Sequence, residues 1–308
     1  MILEEQAMRD VGLLVIRFLV VGFLVVGFLV VGFLVVTLSC LEVVPWPSAA
    51  AVEPTNAEEA ARKKQAADAA VNEKYQAIVA QLPPAEQAWE KVLQEHLGGF
   101  YLPFHKADKV AGRSNAWDFV KIDPALPNVL LIGDSVSRGY TQAVRKALAG
   151  KANVHRAPAN CGPTASGIKN IEAWLASAPT VETWDVIHFN FGIHDRNTPL
   201  ADYTTRLDQL VERLKKTDAR LIWASTTPIP DDPETKQKAV SIVDRNAAAA
   251  AVMQSHGVAI DDLFGFITPH LAEVQPPKDV HFSGKGYDML GAEVAESIAG
   301  QLAEALPR

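Results

Sequence analysis

The chain has 308 residues, 48% of them hydrophobic, which is enough to bury one sizeable core and leave a smaller appendage. Its formal net charge is −7 and it has no long basic run, which excludes a nucleic-acid-binding protein because phosphates need a basic surface. The two cysteines, Cys40 and Cys161, offer no disulfide framework once a leader is removed. Stability must therefore come from packing.

The first predicted element is an uncharged apolar segment from Phe18 to Leu38, in which Phe-Leu-Val-Val recurs every five residues. A helix of about 21 residues is about 31 Å long and matches the hydrocarbon core of a bilayer. Arg9 and Arg17 precede the segment and Glu42 follows it, which favours a cytoplasmic N-terminus. The sequence therefore predicts an exported chain, periplasmic, extracellular or tethered to the membrane through this segment.

The fate of this segment has alternative interpretations. An uncleaved signal anchor fits its length better, whereas a cleaved signal peptide would use the small residues Ala49-Ala50-Ala51. Leu38-Ser39-Cys40 is a weak match to a lipoprotein site, because Thr37 stands where an aliphatic residue is usual. We assign residues 1–41 to a signal peptide or signal anchor.

Residues 42–127 are predicted to be a linker and a helical N-terminal extension. Glu42–Asn56 is rich in proline and alanine, as in linkers, and Ala57–Gln81 has the composition of a mostly solvent-facing helix. A second helix is predicted over Ala85–Leu97, ended by two glycines. Phe100–Pro127 is aromatic and is expected to be irregular, lying over the main domain or forming part of a substrate rim.

From residue 128 to residue 308, apolar strands alternate with helices. The predicted strands are Val129–Ile132, Asn153–Arg156, Val186–Phe191, Arg220–Ser225 and Val258–Ile260. The predicted helices are Ser137–Leu148, Gly167–Ala176, Leu200–Lys216, Lys236–Ser255 and Gly284–Ala305. This alternation predicts an α/β fold, a flavodoxin-like three-layer α/β/α sandwich around a five-stranded parallel sheet.

Two polar segments of this domain predict a nucleophile and its base. Gly133-Asp134-Ser135 follows the first strand directly, and ligands bind at the carboxyl edge of open α/β sheets. Asp279-Val280-His281 places an imidazole beside a carboxylate just before the last helix. Ser135 and His281 are therefore candidates for nucleophilic catalysis. The alternative is that Ser135 only caps the following helix.

Two further loops follow strands of the same sheet. In Asn160–Gly167, Gly162 can present a backbone N–H beside Ser135. Cys161 is a rival nucleophile, although cysteine is more often a small buried hydrophobe. The loop Asn190–Asn197 is dense in polar groups, which favours a functional role. The histidines show no recognised metal-ligand spacing, so no metal or other cofactor is expected.

Taken in order, the four segments resemble the SGNH, or GDSL, hydrolase family over roughly Asn128 to Leu302. The resemblance implies that Ser135 is the nucleophile and His281 the general base. It also implies that the backbone N–H groups of Ser135 and Gly162 hold the oxyanion.

The sequence departs from the family pattern twice. His194 stands where the family has an oxyanion-binding asparagine, and we expect its ring to donate instead. Asp279 lies two residues before His281 rather than the usual three, and we expect it to orient the imidazole, with Asp261 and Asp262 in reserve. The candidate oxyanion and substrate-binding residues are Gly162, His194, Asn160 and Asp134.

These residues predict two-step acyl transfer through a serine ester. Export and polar strand-end loops favour short acyl groups, above all acetyl, on a carbohydrate, with Trp117, Tyr101 or Phe104 stacking on sugar rings. A lipase, a lysophospholipase or a generic carboxylesterase acting on another small ester is the alternative. A non-catalytic carbohydrate-binding module on the same fold is the second alternative.

Overall fold

A computed structural model describes residues 56–303 except 179, 233, 235 and 236, and its centre is a parallel five-stranded sheet. The strands are β1 (Asn128–Ile132), β2 (Asn153–Arg156), β3 (Val186–Phe189), β4 (Arg220–Ala224) and β5 (Ala259–Asp261). Their order is β2-β1-β3-β4-β5, which is the flavodoxin-like arrangement. The predicted fold class is confirmed, and the carboxyl ends of all five strands lie at one edge.

Each strand is apolar on both faces because helices cover the sheet from both sides. Val129 and Leu131 of β1 pack into one core layer, whereas Leu130 and Ile132 pack into the other. The helices of this domain are α4 (Ser135–Ala147), α5 (Thr164–Leu175), α6 (Leu200–Lys215), α7 (Val240–His256), α8 (Leu263–Ile267), α9 (Leu271–Val274) and α10 (Gly284–Ala303). Two short 3₁₀ turns, Ile193–Asp195 and Thr268–His270, complete it.

Helices α4 and α10 pack closely because glycine stands at two contact points. A β-carbon on Gly291 would lie 2.4 Å from that of Ala143, and one on Gly139 would overlap the ring of Tyr287. The contacts are in register, with both helices running in the same direction. This packing brings the start of α4, where Ser135 lies, close to the segment that precedes α10.

The extension contains three helices in the described part of the chain: α1 (Asn56–Val79), α2 (Pro84–His96) and α3 (Gly98–Val110). The prediction that Phe100–Pro127 is irregular is wrong for its first part, which is α3. Gly98, with φ of +79°, makes a corner that ends α2 and starts α3 at once. Aromatic residues and proline are weak helix formers, so α3 depends on packing such as Tyr101 against Trp117, 5.3 Å between ring centroids.

The predicted signal segment and most of the predicted linker, residues 1–55, lie outside the described residues. Within the described residues, none of the helices combines the length and apolar character that a bilayer crossing requires.

A buried ionic network joins the three helices of the extension. The Glu90 carboxylate accepts a hydrogen bond from the Tyr75 hydroxyl (2.7 Å), pairs with His105 Nε2 (2.8 Å) and binds Lys109 Nζ (2.6 Å). Burial alone would raise the pKa of Glu90, but the His105, Lys109 and Tyr75 contacts outweigh it and lower the pKa from 4.5 to about 2. The network therefore ties α1, α2 and α3 together while Glu90 is ionised.

We expect Glu90→Gln to destabilise the protein by ~1–3 kcal/mol at pH 7, because Lys109 loses one of its two carboxylate partners and keeps Glu86. Since the pKa of Glu90 is lower in the folded state, its contribution is complete above about pH 4.5. That contribution is lost as the pH falls towards 2. Urea unfolding of both proteins between pH 7 and pH 3 measures the difference. Glu95→Gln, on the exposed side of α2, is the matched control; a constant gap for Glu90→Gln across this range would contradict the prediction.

Residues 111–127, which we call the strap, attach the extension to the sheet domain. Trp117 is buried, and its indole N–H donates to the Ala157 carbonyl (3.2 Å) beyond the end of β2. Gln142 and Arg145 of α4 donate to strap carbonyls. The strap therefore packs along β2 and α4, close to Gly133-Asp134-Ser135, which we call the nucleophile turn after its candidate nucleophile.

Candidate active site

The turn that carries Ser135 is set by the residues around it. β1 ends at Ile132, and Asp134 is the N-cap of α4, with its carboxylate accepting the Val136 N–H at 2.9 Å. Asp134 is buried, and its carboxylate is hydrogen-bonded to the helix that it caps. Ser135 is the first residue of α4, and its N–H belongs to the positive end of the helix dipole.

The structure brings Ser135, His281 and Asp279 together, although Ser135 and His281 are far apart in sequence. Ser135 Oγ lies 2.9 Å from His281 Nε2, and His281 Nδ1 lies 2.7 Å from Asp279 Oδ1. The side chains of His281 and Asp279 are 40% and 46% exposed, so the imidazole is open to water. This is the arrangement of a nucleophile, a base and an orienting carboxylate.

Asp279 reaches the imidazole despite the short spacing because the chain turns just before it. Lys278 has φ of +61°, and Asp279 Oδ1 accepts the backbone N–H of His281 (3.0 Å) as well as its ring N–H. The hydrogen bond from the His281 backbone N–H and, to a smaller extent, the one from its imidazole lower the pKa of Asp279. The carboxylate is thus held ionised where it orients the ring.

The two reserve carboxylates have other partners. Asp261 pairs with His188 Nε2 at 2.9 Å inside the core, where both side chains are 1% exposed. Asp262 caps α8 through the Gly265 N–H and accepts the hydroxyl of Ser225. Among the three candidate acids, Asp279 is therefore the one hydrogen-bonded to His281.

The loop after β2 is tied to the nucleophile turn. Cys161 N–H donates to the Gly133 carbonyl at 3.2 Å, and Gly162 follows with φ of +67°, a conformation that favours glycine. Asn160 is part-buried, and its side-chain oxygen has no hydrogen-bond partner in the described structure. Gly162 and Asn160 therefore lie on a loop anchored to the turn that carries Ser135.

Cys161 is unsuited to act as a nucleophile. Its side chain is fully buried, and burial raises the pKa of the thiol to about 12. We expect iodoacetamide at pH 8 to leave any hydrolysis of p-nitrophenyl acetate unchanged, and Cys161→Ala to keep its rate within about three-fold, because a buried thiol is unreactive. Mass spectrometry of the treated protein checks alkylation, and activity lost in step with Cys161 labelling would contradict this prediction.

The loop after β3 is tied to the same region by Asp195. Its buried carboxylate accepts the N–H and the hydroxyl of Thr164, each at 2.8 Å, at the start of α5. His194 lies on the same 3₁₀ turn, is exposed, and its side chain has no hydrogen-bond partner within the described structure. The sequence places His194 correctly on a strand-end loop, and its role as a donor stays a prediction.

Sequence reasoning missed two arginines beside Ser135. Arg156, the last residue of β2, is buried beneath the nucleophile turn, and Arg138 lies one helical turn after Ser135. Arg138 is 5.6 Å from the ring of Tyr101 in α3. The sequence did contain a sign of Arg156's role: it is a charged residue at the end of a strand that is otherwise expected to be buried.

The aromatic residues of the extension divide into buried and exposed members. Trp117 is 2% exposed and cannot stack on a substrate, which corrects that part of the prediction. Phe100 and Phe104 are 69% and 58% exposed, and Phe100 packs edge-on against Tyr101 at 4.8 Å. We call Phe100, Tyr101 and Phe104 the aromatic ledge; it adjoins α4 through Arg138.

Within the described residues, no group of three or more histidine, cysteine or acidic side chains is placed to hold a metal ion.

The fold and the hydrogen-bonded serine, histidine and aspartate define the class of α/β serine hydrolases. The profile of the GDSL-like lipase/acylhydrolase family matches residues 131–289, and the chain belongs to this family of hydrolases. A comparison with curated proteins gave no significant match.

Two solved structures illustrate the similarity. A lipase/acylhydrolase from Enterococcus faecalis is 21% identical, with 56% of this chain and 96% of that chain covered and a TM-score of 0.50. An acetylxylan esterase from Geobacillus stearothermophilus is 16% identical, with 56% and 94% covered and a TM-score of 0.48. At 21% identity, the similarity to the Enterococcus faecalis structure shows a shared fold only.

Proposed function

We propose that this protein is an exported serine esterase that removes short acyl groups, above all acetyl, from a carbohydrate. The observation that carries the proposal is the hydrogen-bonded series from Ser135 Oγ to His281 Nε2 and from His281 Nδ1 to Asp279 Oδ1. Each distance is within the reach of proton transfer or of an orienting hydrogen bond.

The reaction begins when His281 Nε2 takes the Ser135 proton as Oγ attacks the ester carbonyl. The carbonyl π electrons move to the carbonyl oxygen, and the resulting oxyanion accepts hydrogen bonds from the backbone N–H groups of Ser135 and Gly162. Collapse of this intermediate breaks the bond to the alcohol, which takes the proton from His281. Asp279 stabilises the imidazolium during both transfers.

Water then hydrolyses the acyl-enzyme through the same two steps, with water as the nucleophile and Ser135 as the leaving group. His281 removes a proton from water, the hydroxide attacks the acyl carbon, and Ser135 leaves with that proton. The partial exposure of the imidazole supports this step, because water can approach it. His194 is proposed as a third oxyanion donor, a contribution of ~3–4 kcal/mol for a well-placed donor.

The aromatic ledge supports a carbohydrate as the non-reacting part of the substrate. The exposed rings of Phe100 and Phe104 lie beside Tyr101, whose ring is 5.6 Å from Arg138 of α4, and a pyranose could stack on them. The same exposed rings favour a second candidate, a lipase or lysophospholipase, because they would also bury an acyl chain.

A substrate comparison separates the two candidates. Acetate release from acetylated xylan or pectin is measured beside hydrolysis of p-nitrophenyl acetate and p-nitrophenyl octanoate. We expect acetylated polysaccharide and acetate ester to be preferred over octanoate. Phe100→Ala/Phe104→Ala should raise KM for the polysaccharide and leave p-nitrophenyl acetate unchanged; preference for octanoate, with that preference lost in the same variant, would favour the lipase.

We also propose that the chain is exported, because of the apolar run from Phe18 to Leu38. This N-terminal segment is then either cleaved off or retained as a membrane tether. Fractionation of cells expressing the full chain, with mass spectrometry of the mature N-terminus, tests this. A protein that stays in the cytoplasm with an intact N-terminus would contradict export.

A further inference from the structure

The peptide bond between Asp134 and Ser135 is unusually rich in hydrogen bonds on its carbonyl side. The Asp134 carbonyl accepts Ser137 Oγ at 2.9 Å, Arg156 Nη2 at 2.9 Å and the backbone N–H of Arg138 at 3.0 Å. The N–H of this same peptide is that of Ser135, one of the two proposed oxyanion donors. Polarising the carbonyl of a peptide strengthens its N–H as a donor, since hydrogen bonds in series reinforce one another.

We propose that Arg156 is a positioning residue that polarises the Asp134–Ser135 peptide and holds the nucleophile turn, an inference that rests on the proposed esterase function. The guanidinium spans the turn: Nη2 also donates to the Gly133 carbonyl (3.0 Å), and Nη1 donates to Ser137 Oγ (2.7 Å). Because Ser137 passes this polarisation on to the Asp134 carbonyl, Arg156 acts on the peptide by two routes.

A purely structural role does not explain why a cation stands here. Arg156 is 1% exposed, its guanidinium donates only to carbonyl and hydroxyl oxygens, and its attraction to the Asp134 carboxylate is a longer-range one, with no carboxylate of the described structure within ion-pair distance. Burying an unpaired charge costs several kcal/mol, and neutral donors would satisfy the same oxygens. A charge-assisted donor is the stronger polariser, and its charge acts over a short distance in a low dielectric.

The extension encloses this site. The Trp117 ring lies 5.6 Å from the Arg156 guanidinium carbon, and its N–H donates to Ala157, the next residue in the chain. Trp89 of α2 in turn donates to the Trp117 carbonyl at 2.7 Å. The extension therefore shields Arg156 from water, which keeps its interaction with the turn strong.

The test compares Arg156→Met and Arg156→Lys with wild type on p-nitrophenyl acetate. Removing one full oxyanion donor costs ~10²–10³ in kcat, so we expect Arg156→Met, which weakens a donor, to lower kcat by ~10–100-fold. KM should stay within about two-fold. Arg156→Lys should recover part of the loss, because it keeps the charge without the guanidinium fork.

Arg145→Met is the matched control. Arg145 also binds the strap and the sheet domain, through Val154, Asn115 and Asp118 carbonyls, but it does not touch the nucleophile turn. We expect its kcat to remain within about two-fold of wild type even if its melting temperature falls. An equal fall in kcat for Arg145→Met and Arg156→Met would reduce Arg156 to a general structural role and overturn the inference.

A boronic acid that forms a tetrahedral adduct on Ser135 provides the readout specific to the oxyanion. Its affinity should fall by the same factor as kcat in Arg156→Met. Unchanged kcat in Arg156→Met, or a change confined to KM, overturns the inference. If Arg156→Met does not fold, Arg156→Lys decides: kcat at least about five-fold below wild type at constant KM supports the inference, and wild-type kcat overturns it. No hydrolysis by the wild-type protein would overturn the esterase function together with this inference.

Discussion

Ser135→Ala is expected to lower kcat for p-nitrophenyl acetate by about 10⁶-fold, by analogy with serine proteases that lose their nucleophile. Oγ is the only non-hydrogen atom removed, and its partner is His281 Nε2 at 2.9 Å. Asp134, rather than Ser135, caps the helix through its side chain, so the fold should not depend on the lost oxygen. Initial-rate assays of purified protein measure the effect.

The control for Ser135→Ala is Ser283→Ala, which removes a hydroxyl before α10 that accepts the Gly286 N–H. We expect that variant to keep activity within about three-fold. Ser135→Ala should unfold at the wild-type urea concentration, whereas Ser283→Ala, which removes a hydroxyl that caps α10, should be less stable by ~1 kcal/mol. Equal hydrolysis by Ser135→Ala and wild type would contradict the serine mechanism and favour the non-catalytic carbohydrate-binding alternative.

Changes at Asp279 are expected to have the next largest effect, and two variants test its role in orienting His281. Asparagine keeps the shape of the side chain, but its amide N–H can donate to His281 Nδ1 and leave the ring proton on Nε2, so Asp279→Asn should lower kcat by ~10⁴-fold. Asp279→Ala loses the orienting carboxylate altogether, and its loss should also be ~10⁴-fold. Steady-state kinetics at pH 8 measure both.

Asp262→Asn is the matched control for Asp279, because asparagine can also cap α8 in place of Asp262. We expect full kcat and little loss of stability for that variant. If Asp279→Ala retains more than about a tenth of wild-type kcat while Asp262→Asn loses activity, the orienting carboxylate has been misassigned.

The strands and the nucleophile could be predicted because their signals are local. An apolar run followed by Gly133-Asp134-Ser135 and a helical pattern predicts a strand, a tight turn and a helix start, and β1 and α4 follow that pattern. Asn153–Arg156 was predicted with its observed bounds. The helix over 98–110 could not be predicted in this way, because its stability comes from contacts with Trp117 and Glu90 rather than from its own propensities.

The amino-acid sequence by itself determined the alternation of strands and helices, and hence the parallel sheet and the edge at which Ser135 and His281 had to lie. The tertiary structure decided between Asp279, which the sequence favoured, and the two reserve acids: Asp279 is hydrogen-bonded to the imidazole, whereas Asp261 and Asp262 bond to His188 and to the start of α8. It also decided that Arg156 lies under the nucleophile turn. Such contacts depend on distances between segments far apart in the chain, and local residue patterns carry no information about them.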